Sequence, residues 1–181
     1  MAGADPQQLI LQLQRIEERC QQHAAGLPQK EEATRFWEGI LFEVAGVHVV
    51  TALGEVKEIL NYPPVVTPVP GTRGWMMGVA NIRGNLMPIV DLQIFLGGDP
   101  ISVHSRTRVL VIDQQGIFAG LMVEEVLGIR YFPEELRARS GSMAGRMGRF
   151  IEGAFVQEGK SWPVFSMRQL AEDEGFQIAA A

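Results

Sequence analysis

Residues 78–92 constrain the fold more than any other part of the chain. Gly84-Asn85 lies between two apolar runs, and Gly followed by Asn suits a two-residue hairpin turn whose first position needs a positive φ. With Arg83 and Leu86 beside that turn, the predicted facing pairs are Ile82/Met87, Asn81/Pro88, Ala80/Ile89 and Val79/Val90. Because strand side chains alternate, Ala80, Ile82, Met87 and Ile89 form a core face. Asn81 and Arg83 are displayed on the other face as a predicted recognition surface.

Composition excludes several classes of protein. The chain has 181 residues, of which 46% are hydrophobic, and this suits one compact domain or two small ones. A net charge of -5 makes it a poor candidate for nucleic-acid binding. Its single cysteine, Cys20, cannot form an internal disulfide. Without a signal peptide or a long apolar span, we expect a cytoplasmic protein with no direct membrane insertion.

Residues 5–26 are predicted to form a separate helix. Asp5 is a suitable N-cap, Pro6 suits the first helical position, and Gly26 and Pro28 end the segment. Its apolar stripe consists of Leu9, Leu13, Ile16 and Cys20. So narrow a stripe indicates a helix that docks either on its own domain or on a partner.

From about residue 36 the hydrophobic pattern changes to period two. Short β-rich runs are predicted at 40–44, 47–51, 108–112 and 117–123, with Gly or Pro about every ten residues. Short helices are predicted at 53–60, 91–96 and 167–174, the second capped by Asp91. Many short strands at this spacing indicate a sandwich or a barrel.

The body also contains a weak internal repeat. A shift of 70 residues superimposes Gly46 on Gly116, Glu55 on Glu125, Val56 on Val126, Ile59 on Ile129 and Pro63 on Pro133. A shift of 75 superimposes Gly78 on Gly153, Gly84 on Gly159 and Pro88 on Pro163. An insertion of five residues within 141–148 accounts for the difference. The pattern predicts two related β-units of about sixty residues each.

The repeat separates positions that serve the fold from positions free to serve function. Glycines and prolines shared by both copies are assigned to the fold. Three polar residues occur in the first copy alone, since Asn81 is matched by Val156, Arg83 by Glu158 and Glu58 by Gly128. We therefore take these three polar residues as candidate functional positions.

Three local sequences resemble a known family. Val-Lys-Glu-Ile-Leu at 56–60, Gly-Val-Ala-Asn-Ile-Arg-Gly at 78–84 and Pro-Ile-Val-Asp-Leu at 88–92 are similar to the CheW-like adaptor domain of bacterial chemosensory arrays. The resemblance covers about residues 37–171. The N-terminal segment, with Ala-Ala-Gly-Leu-Pro at 24–28, and the Gly-Glu-Val at 54–56 are most similar to the adaptors of type IV pilus and twitching-motility systems.

The resemblance implies a mainly β fold of two intertwined, five-stranded SH3-like barrels with short helices, packed around a shared apolar seam. The implied organisation is an N-terminal helix and linker at 1–35, a CheW-like domain at 36–175 and a tail at 176–181. Within the domain, the two β-units are expected at about 38–95 and 107–170.

The resemblance further implies a non-enzymatic adaptor without a cofactor. Its expected partners are the cytoplasmic tip of a methyl-accepting chemoreceptor and the regulatory domain of a CheA-type histidine kinase, at membrane-associated receptor arrays. Arg83 and Asn81 would lie on the receptor-facing surface with Glu58 and Val56 nearby, and Glu58 could pair with Arg83. An adaptor of a flagellar or other chemosensory array is the alternative within the family.

Each of these residues also has a purely structural interpretation. Arg83 and Glu58 could form a salt bridge that only ties the hairpin to the predicted helix, where a charged residue is ordinarily solvated. Val56 is matched by Val126 in the repeat, which favours core packing. A nucleic-acid-binding barrel and a small hydrolase are the competing classes of protein, and neither a basic track with exposed aromatic residues nor a nucleophile beside a base is visible.

The segment 136–150 contains four arginines among glycines, namely Arg137, Arg139, Arg146 and Arg149. It lacks the strand, spacing and helix of a phosphate-binding loop. A mobile surface loop is one interpretation, and a basic contact to an acidic partner is the other. The three histidines have no ligand-spaced neighbours, so no metal site is expected.

Overall fold

The computed structural model describes residues 35–138 and 145–179, and within them the chain forms eleven strands. The strands are β1 Phe36–Val44, β2 Val47–Ala52, β3 Glu58–Asn61, β4 Met76–Ile82, β5 Asn85–Asp91, β6 Arg108–Gln114, β7 Ile117–Val123, β8 Glu125–Pro133, β9 Arg137–Ala138, β10 Ile151–Gln157 and β11 Lys160–Phe165. The helices are α1 Leu92–Phe95, α2 Met167–Glu172 and α3 Glu174–Gln177. The four predicted strands are all present, whereas the predicted N-terminal helix lies outside the described residues.

The helix predicted at 53–60 is wrong beyond its first turn. Leu53–Glu55 forms a single 3₁₀ turn, and the backbone at Val56 is already extended, with φ -111° and ψ 120°. The N–H of Lys57 donates to the carbonyl oxygen of Val111 at 2.8 Å, and β3 then pairs with β6. Tertiary strand pairing therefore overrides a local helical pattern, and Glu58 begins a strand.

The two sheets each combine strands from both halves of the chain. One sheet has the order β8-β1-β2-β11-β10-β9, and the other has the order β3-β6-β7-β5-β4. Neighbouring strands are antiparallel except at β2 with β11 and β5 with β7, which are two of the four pairs that join strands from different halves of the chain. The two units are consequently intertwined, because each contributes strands to the other's sheet.

Four hairpin turns reveal the internal repeat in the backbone. Each has a residue other than glycine followed by glycine, both with positive φ: Ala45-Gly46, Arg83-Gly84, Gln115-Gly116 and Glu158-Gly159. The first and third turns are 70 residues apart, and the second and fourth are 75 apart, which are the two shifts found in the sequence. The side chains of Asp91 and Ser166, also 75 apart, cap α1 and α2.

Three apolar clusters fill this arrangement. The largest lies where the two sheets meet and includes Phe42, Phe95, Leu121 and Phe165. The six-stranded sheet curls around a second cluster that contains Phe132 and Phe155, which we call barrel A. The five-stranded sheet curls around a third cluster that contains Met87, Ile89 and Val111, which we call barrel B. The prediction of a mainly β fold with two intertwined barrels and a shared apolar seam is confirmed.

Phe176 corrects the predicted position of the tail. The sequence assigned residues 176–181 to a tail outside the domain. Phe176 is instead buried in α3 and stacks on Trp75, with the ring centroids 5.8 Å apart. The N–H of Arg73 also donates to the carbonyl oxygen of Ala179 at 2.8 Å. A single aromatic residue thus anchors the C-terminal segment. Hydrophobic periodicity could not predict this contact, because the stretch is too short to show a period.

Gly78 provides a test of how tightly the barrels are closed. Its φ is +138°, and an added Cβ would lie 2.2 Å from the carbonyl oxygen of Thr67, which bridges to Val79. We expect Gly78→Ala to lower the free energy of unfolding by about 3 kcal/mol, because backbone must move to admit the methyl group. Urea denaturation measures the loss.

Gly54→Ala is the matched control for that substitution. A Cβ added to Gly54 would meet no heavy atom within 4 Å beyond its chain neighbours, and Gly54 has no positive φ. The change in the free energy of unfolding should therefore stay within about 0.5 kcal/mol. Equal losses for the two variants would contradict the close approach of Thr67 to Gly78.

Candidate functional site

The predicted recognition hairpin is present, but its turn lies one residue earlier than expected. Ile82 pairs with Asn85, so Arg83 and Gly84 are the two turn residues, with φ of 53° and 86°. The side chain of Asn81 accepts a hydrogen bond from the N–H of Gly84 at 2.8 Å. Glycine at the second position and this bond both favour the observed turn over Gly84-Asn85.

The shift leaves the two faces of the hairpin unchanged. Each observed pair differs from its predicted pair by two residues on one strand. Because strand side chains repeat their direction every two residues, every side chain stays on its predicted face. Ala80, Met87 and Ile89 are buried in barrel B as expected. Asn81 is exposed on the outer face, whereas Arg83 lies in the turn itself.

Arg83 and Glu58 form a bidentate ion pair. Nη1 of Arg83 donates to Oε2 of Glu58 at 3.2 Å, and Nη2 donates to Oε1. Glu58 is held in position because β3 pairs with β6, and Arg83 is held by the turn. The structure thus brings Arg83, Asn81 and Glu58 to one end of barrel B, although they are up to 25 residues apart in sequence.

A second ion pair lies beside the first. Nζ of Lys57 is 2.5 Å from Oδ2 of Asp113, and it also lies over the ring of Phe118, 5.3 Å from its centroid. Asp113 and Phe118 face each other across β6 and β7. The sequence interpretation missed these three residues. The signal was available, because the repeat matches Lys57 with Leu127 and Phe118 with His48.

Lys57, Glu58, Arg83 and Phe118 line a small concavity of about 170 Å³ at the end of barrel B. Its floor consists of Met87 and Val111 from the barrel core, and Ile82 and Phe118 form its walls. The two ion pairs lie at its rim. We call this concavity the barrel B mouth.

Val56 is not displayed with the other predicted site residues. It is partly buried and packs against the central apolar cluster, as does Val126 at the matching position of the repeat. The geometry therefore agrees with the core-packing interpretation of Val56.

The described part of the arginine segment packs against the body of the protein. Residues 146–150 form a 3₁₀ helix in which Met147 and Phe150 are buried. Arg149 lies 3.1 Å from a carboxylate oxygen of Asp173, and Arg146 lies over the ring of Phe95, 4.0 Å from its centroid. The buried apolar residues between the arginines explain this packing. Arg139 lies outside the described residues.

Arg137 is also engaged within its own barrel. It starts β9, its Nη2 donates to Oε1 of Glu152 at 2.7 Å, and its guanidinium lies 5.9 Å from the ring centroid of Phe155. Arg137, Arg146 and Arg149 are therefore preorganised by carboxylates and rings, with parts of each side chain still accessible to a partner.

Within 35–138 and 145–179, no group of three or more metal-ligating side chains comes together.

Burial in barrel B, and secondarily the carboxylate of Asp91, raise the pKa of Tyr62 above its ordinary value near 10, so its hydroxyl stays protonated at neutral pH. Over the same residues, no helix has the length and hydropathy that crossing a bilayer requires.

Comparison with known proteins gives concordant results. The sequence profile of the CheW-like domain matches residues 38–175. The chain is 41% identical to Protein PilI of Pseudomonas aeruginosa over 162 residues, which cover 89% of this chain and 90% of that protein. It is 33% identical to Protein FrzA of Myxococcus xanthus over 92 residues, or 51% of this chain and 57% of that protein.

A solved structure supports the same fold. The crystal structure of the scaffolding protein TtCheW from Thermoanaerobacter tengcongensis superimposes with a TM-score of 0.70. The match covers 81% of this chain and all of that chain at 20% sequence identity. At that identity the likeness concerns the fold alone, and it agrees with the two intertwined barrels.

The Arg83 turn yields a prediction about stability. A turn with two positive φ values favours Asn followed by Gly, so Arg83→Asn should relieve about 1 kcal/mol of backbone strain. Loss of the exposed ion pair with Glu58 costs about 0–1 kcal/mol. We therefore expect the free energy of unfolding to stay equal or rise slightly, as measured by urea denaturation.

Glu158→Asn, in the matching turn, is the control: Glu158 also has a positive φ, and none of the ion pairs among the described residues includes it. It should gain the full strain relief. A loss of more than about 1 kcal/mol in Arg83→Asn alone would show that the Arg83–Glu58 pair is primarily structural.

Proposed function

This chain belongs to the CheW-like domain family, and from that membership we propose that it is the adaptor of a type IV pilus chemosensory system. The family consists of non-enzymatic scaffold adaptors of chemosensory signalling. In the proposed role, the chain couples a methyl-accepting chemoreceptor to the regulatory domain of a CheA-type histidine kinase.

The observation that carries the pilus assignment is the similarity to PilI. It extends over about nine-tenths of both chains, whereas the similarity to FrzA covers roughly half of each. The matched region with PilI must therefore include part of the segment before residue 38, where the family profile begins. An adaptor of a flagellar or other chemosensory array remains the second candidate, favoured by relatives that are named chemotaxis protein CheW.

We assign the receptor-facing surface to the end of barrel B. Arg83, Asn81 and Glu58 lie together there, and Val56, two residues before Glu58, packs against the central cluster. Arginine is enriched at protein interfaces because its planar fork makes several directional hydrogen bonds. Arg83 is also absent from the other copy of the repeat, where Glu158 takes its place.

A second contact surface is assigned to the arginine segment, in which Arg137 belongs to barrel A and residues 146–150 pack against the central cluster. Arg137, Arg146 and Arg149 are held on Glu152 and Asp173. Together with Arg139 they would meet an acidic partner. Because the kinase regulatory domain has the same barrel fold in this family, contacts between like-folded barrel ends would join it to the adaptor.

The proposed mechanism is geometric. The two barrels share one central apolar cluster, so partners on different ends are held by one rigid body. Signalling then requires that the adaptor bind one receptor state more tightly than the other, since a ligand with equal affinity for two states shifts neither. The proposed location is the cytoplasmic face of membrane-associated receptor arrays.

Calorimetric titration tests the adaptor role directly. The chain is titrated with the isolated regulatory domain of the CheA-type kinase from the same organism. Saturable one-to-one binding is expected. Absence of binding at high micromolar concentration would overturn the proposed coupling to the kinase.

The receptor surface generates a separate prediction. Arg83→Ala should weaken binding to the cytoplasmic-tip fragment of a chemoreceptor by at least about tenfold, because a central interface arginine is lost. Its melting temperature should change by no more than about 2 °C, since the ion pair with Glu58 is exposed. Glu158→Ala, at the matching turn of barrel A, should leave receptor binding unchanged. A large drop in melting temperature with intact receptor binding would assign Arg83 to the fold.

A further inference from the structure

We propose that residues 173–179, which we call the C-terminal strap, form a detachable element that is held closed by the carboxylate of Asp173 on Arg146 and Arg149. An acidic partner that binds the arginine segment would take both guanidinium groups from Asp173 and open the strap. The inference rests on the proposed function, because it takes the kinase regulatory domain as that partner. It adds a conformational switch in which Asp173 competes with the partner's carboxylates.

The strap lies against the body mainly through one aromatic ring. Phe176 stacks on Trp75 and meets Phe95 edge to face, with ring centroids 5.8 and 5.1 Å apart. The carbonyl oxygen of Ala179 accepts a hydrogen bond from the N–H of Arg73. The helix α3 is a single turn, and so short a helix is not stable without tertiary contacts. The position of the strap therefore depends on these contacts and on its first residue.

The carboxylate of Asp173 joins the strap to the arginine segment. Its Oδ1 accepts a hydrogen bond from the N–H of Phe176 at 3.1 Å, which caps α3, and its Oδ2 lies 3.1 Å from Nη2 of Arg149. Oδ1 also lies 3.8 Å from Nη2 of Arg146. The Asp173 side chain is 7% exposed, whereas that of Arg149 is 64% and that of Arg146 is 36% exposed. Solvent therefore reaches both arginine side chains while the strap is closed.

Arg146 is incompletely paired in the closed arrangement. Its Nε is buried without a hydrogen-bond partner among the described residues, and the 3.8 Å between its Nη2 and Asp173 is too long for a hydrogen bond. Its guanidinium lies over the ring of Phe95, 4.0 Å from the centroid. The strap lies against the same group, since a Cβ added to Gly175 would be 3.0 Å from Nη2. A buried donor without a partner is unfavourable, so opening the strap for a carboxylate that pairs with Nε and Nη2 together would remove this penalty.

The existing ion pairs make the closed strap autoinhibitory. Arg146 and Arg149 already have the carboxylate of Asp173, so an added carboxylate gains little unless it replaces Asp173. The apparent affinity for an acidic partner is then reduced by the small fraction of chains in which the strap is open. Exchange of one carboxylate for another is the step that links binding to strap opening.

Strap opening would also reach the other proposed partner surface. Phe176 and Ala179 form one side of a groove of about 300 Å³, and the outer face of barrel B, including Val90, forms the other. Phe118 lines both this groove and the barrel B mouth. Removal of the strap would take away one side of the groove beside this ring. The switch would therefore couple the arginine segment to the receptor-facing end of barrel B.

Hydrogen–deuterium exchange of the full chain tests the Asp173 contact without a partner. Asp173→Asn keeps an oxygen that can cap α3 but removes the charge, so amide exchange at 176–178 should rise about tenfold. Arg149→Gln, which leaves the strap itself unaltered, should produce a similar rise. Glu172→Gln is the matched control, because no ion pair among the described residues includes Glu172, and it should change the exchange less than about twofold. Unchanged exchange in both Asp173→Asn and Arg149→Gln would overturn the proposal.

The second test adds the isolated regulatory domain of the kinase and measures strap exchange together with affinity by calorimetry. Binding of the domain should raise exchange at 176–178 in the parent chain. Asp173→Asn should bind the domain at least about threefold more tightly, because the internal competitor is gone. The double variant Arg146→Gln, Arg149→Gln should bind at least about tenfold more weakly, since it lacks both contact cations.

The outcomes separate this inference from the proposed function. If the domain binds the parent chain while the strap keeps its protection and Asp173→Asn binds no more tightly, the inference is overturned and the proposed function stands. If the domain does not bind the parent chain, the proposed coupling to the kinase fails and the inference fails with it.

Discussion

Exchange of strands between the two halves of the chain is the constraint on which the rest of the structure depends. The parallel pairs β2 with β11 and β5 with β7 insert strands of one half into the sheet of the other. Neither barrel can close without its neighbour, and the apolar faces left over meet in one central cluster. Because these paired strands are far apart in sequence, bringing them together has a large loop-closure entropy cost. Burial of apolar side chains in the central cluster offsets that cost. Whatever binds at one barrel end is consequently attached to a body that includes the other.

Much of this fold could be predicted from local signals, because most strands are bounded by a glycine turn and alternate regularly. The hairpin at β4 and β5 was placed on the correct face although its turn was one residue off, since both registers preserve the side-chain period. The predictions that failed depend on distant partners. The stretch at 53–60 has a helical pattern, yet its backbone groups are taken by β6 about fifty residues away. Phe176 gives no periodic signal, and its place is set by Trp75 and Phe95 across the chain.

The residues of the candidate site also include some that local sequence predicts and some whose role depends on distant strands. Arg83, Asn81 and Glu58 were found because they differ between the two copies of the repeat, and the structure places them at one barrel end. Val56 does not differ, and it packs in the core. Lys57 and Phe118 also differ between the copies, whereas the carboxylate of Asp113 is matched by Glu43. The relation of these three residues is visible only when β6 lies between β3 and β7. A sequence comparison of the copies supplies candidates, and only cross-strand register tells which of them share a surface.

In a protein with two related barrels, the residues needed for barrel closure are distinct from the residues that are free to bind partners. Glycines such as Gly78 and Gly153 lie close to a crossing backbone in both copies, so they are kept for closure. Side chains at the barrel ends escape that requirement, because the ends face solvent and the closure energy comes from the interior. Each end could therefore acquire its own side chains, with the ion pairs of Arg83 and Lys57 at one end and the pair of His48 with Glu43 at the other. A protein that must hold two different partners on one rigid frame needs two such ends with unlike chemistry. Strand exchange fixes the relative position of the two ends, because a shift of either barrel would disrupt both sheets.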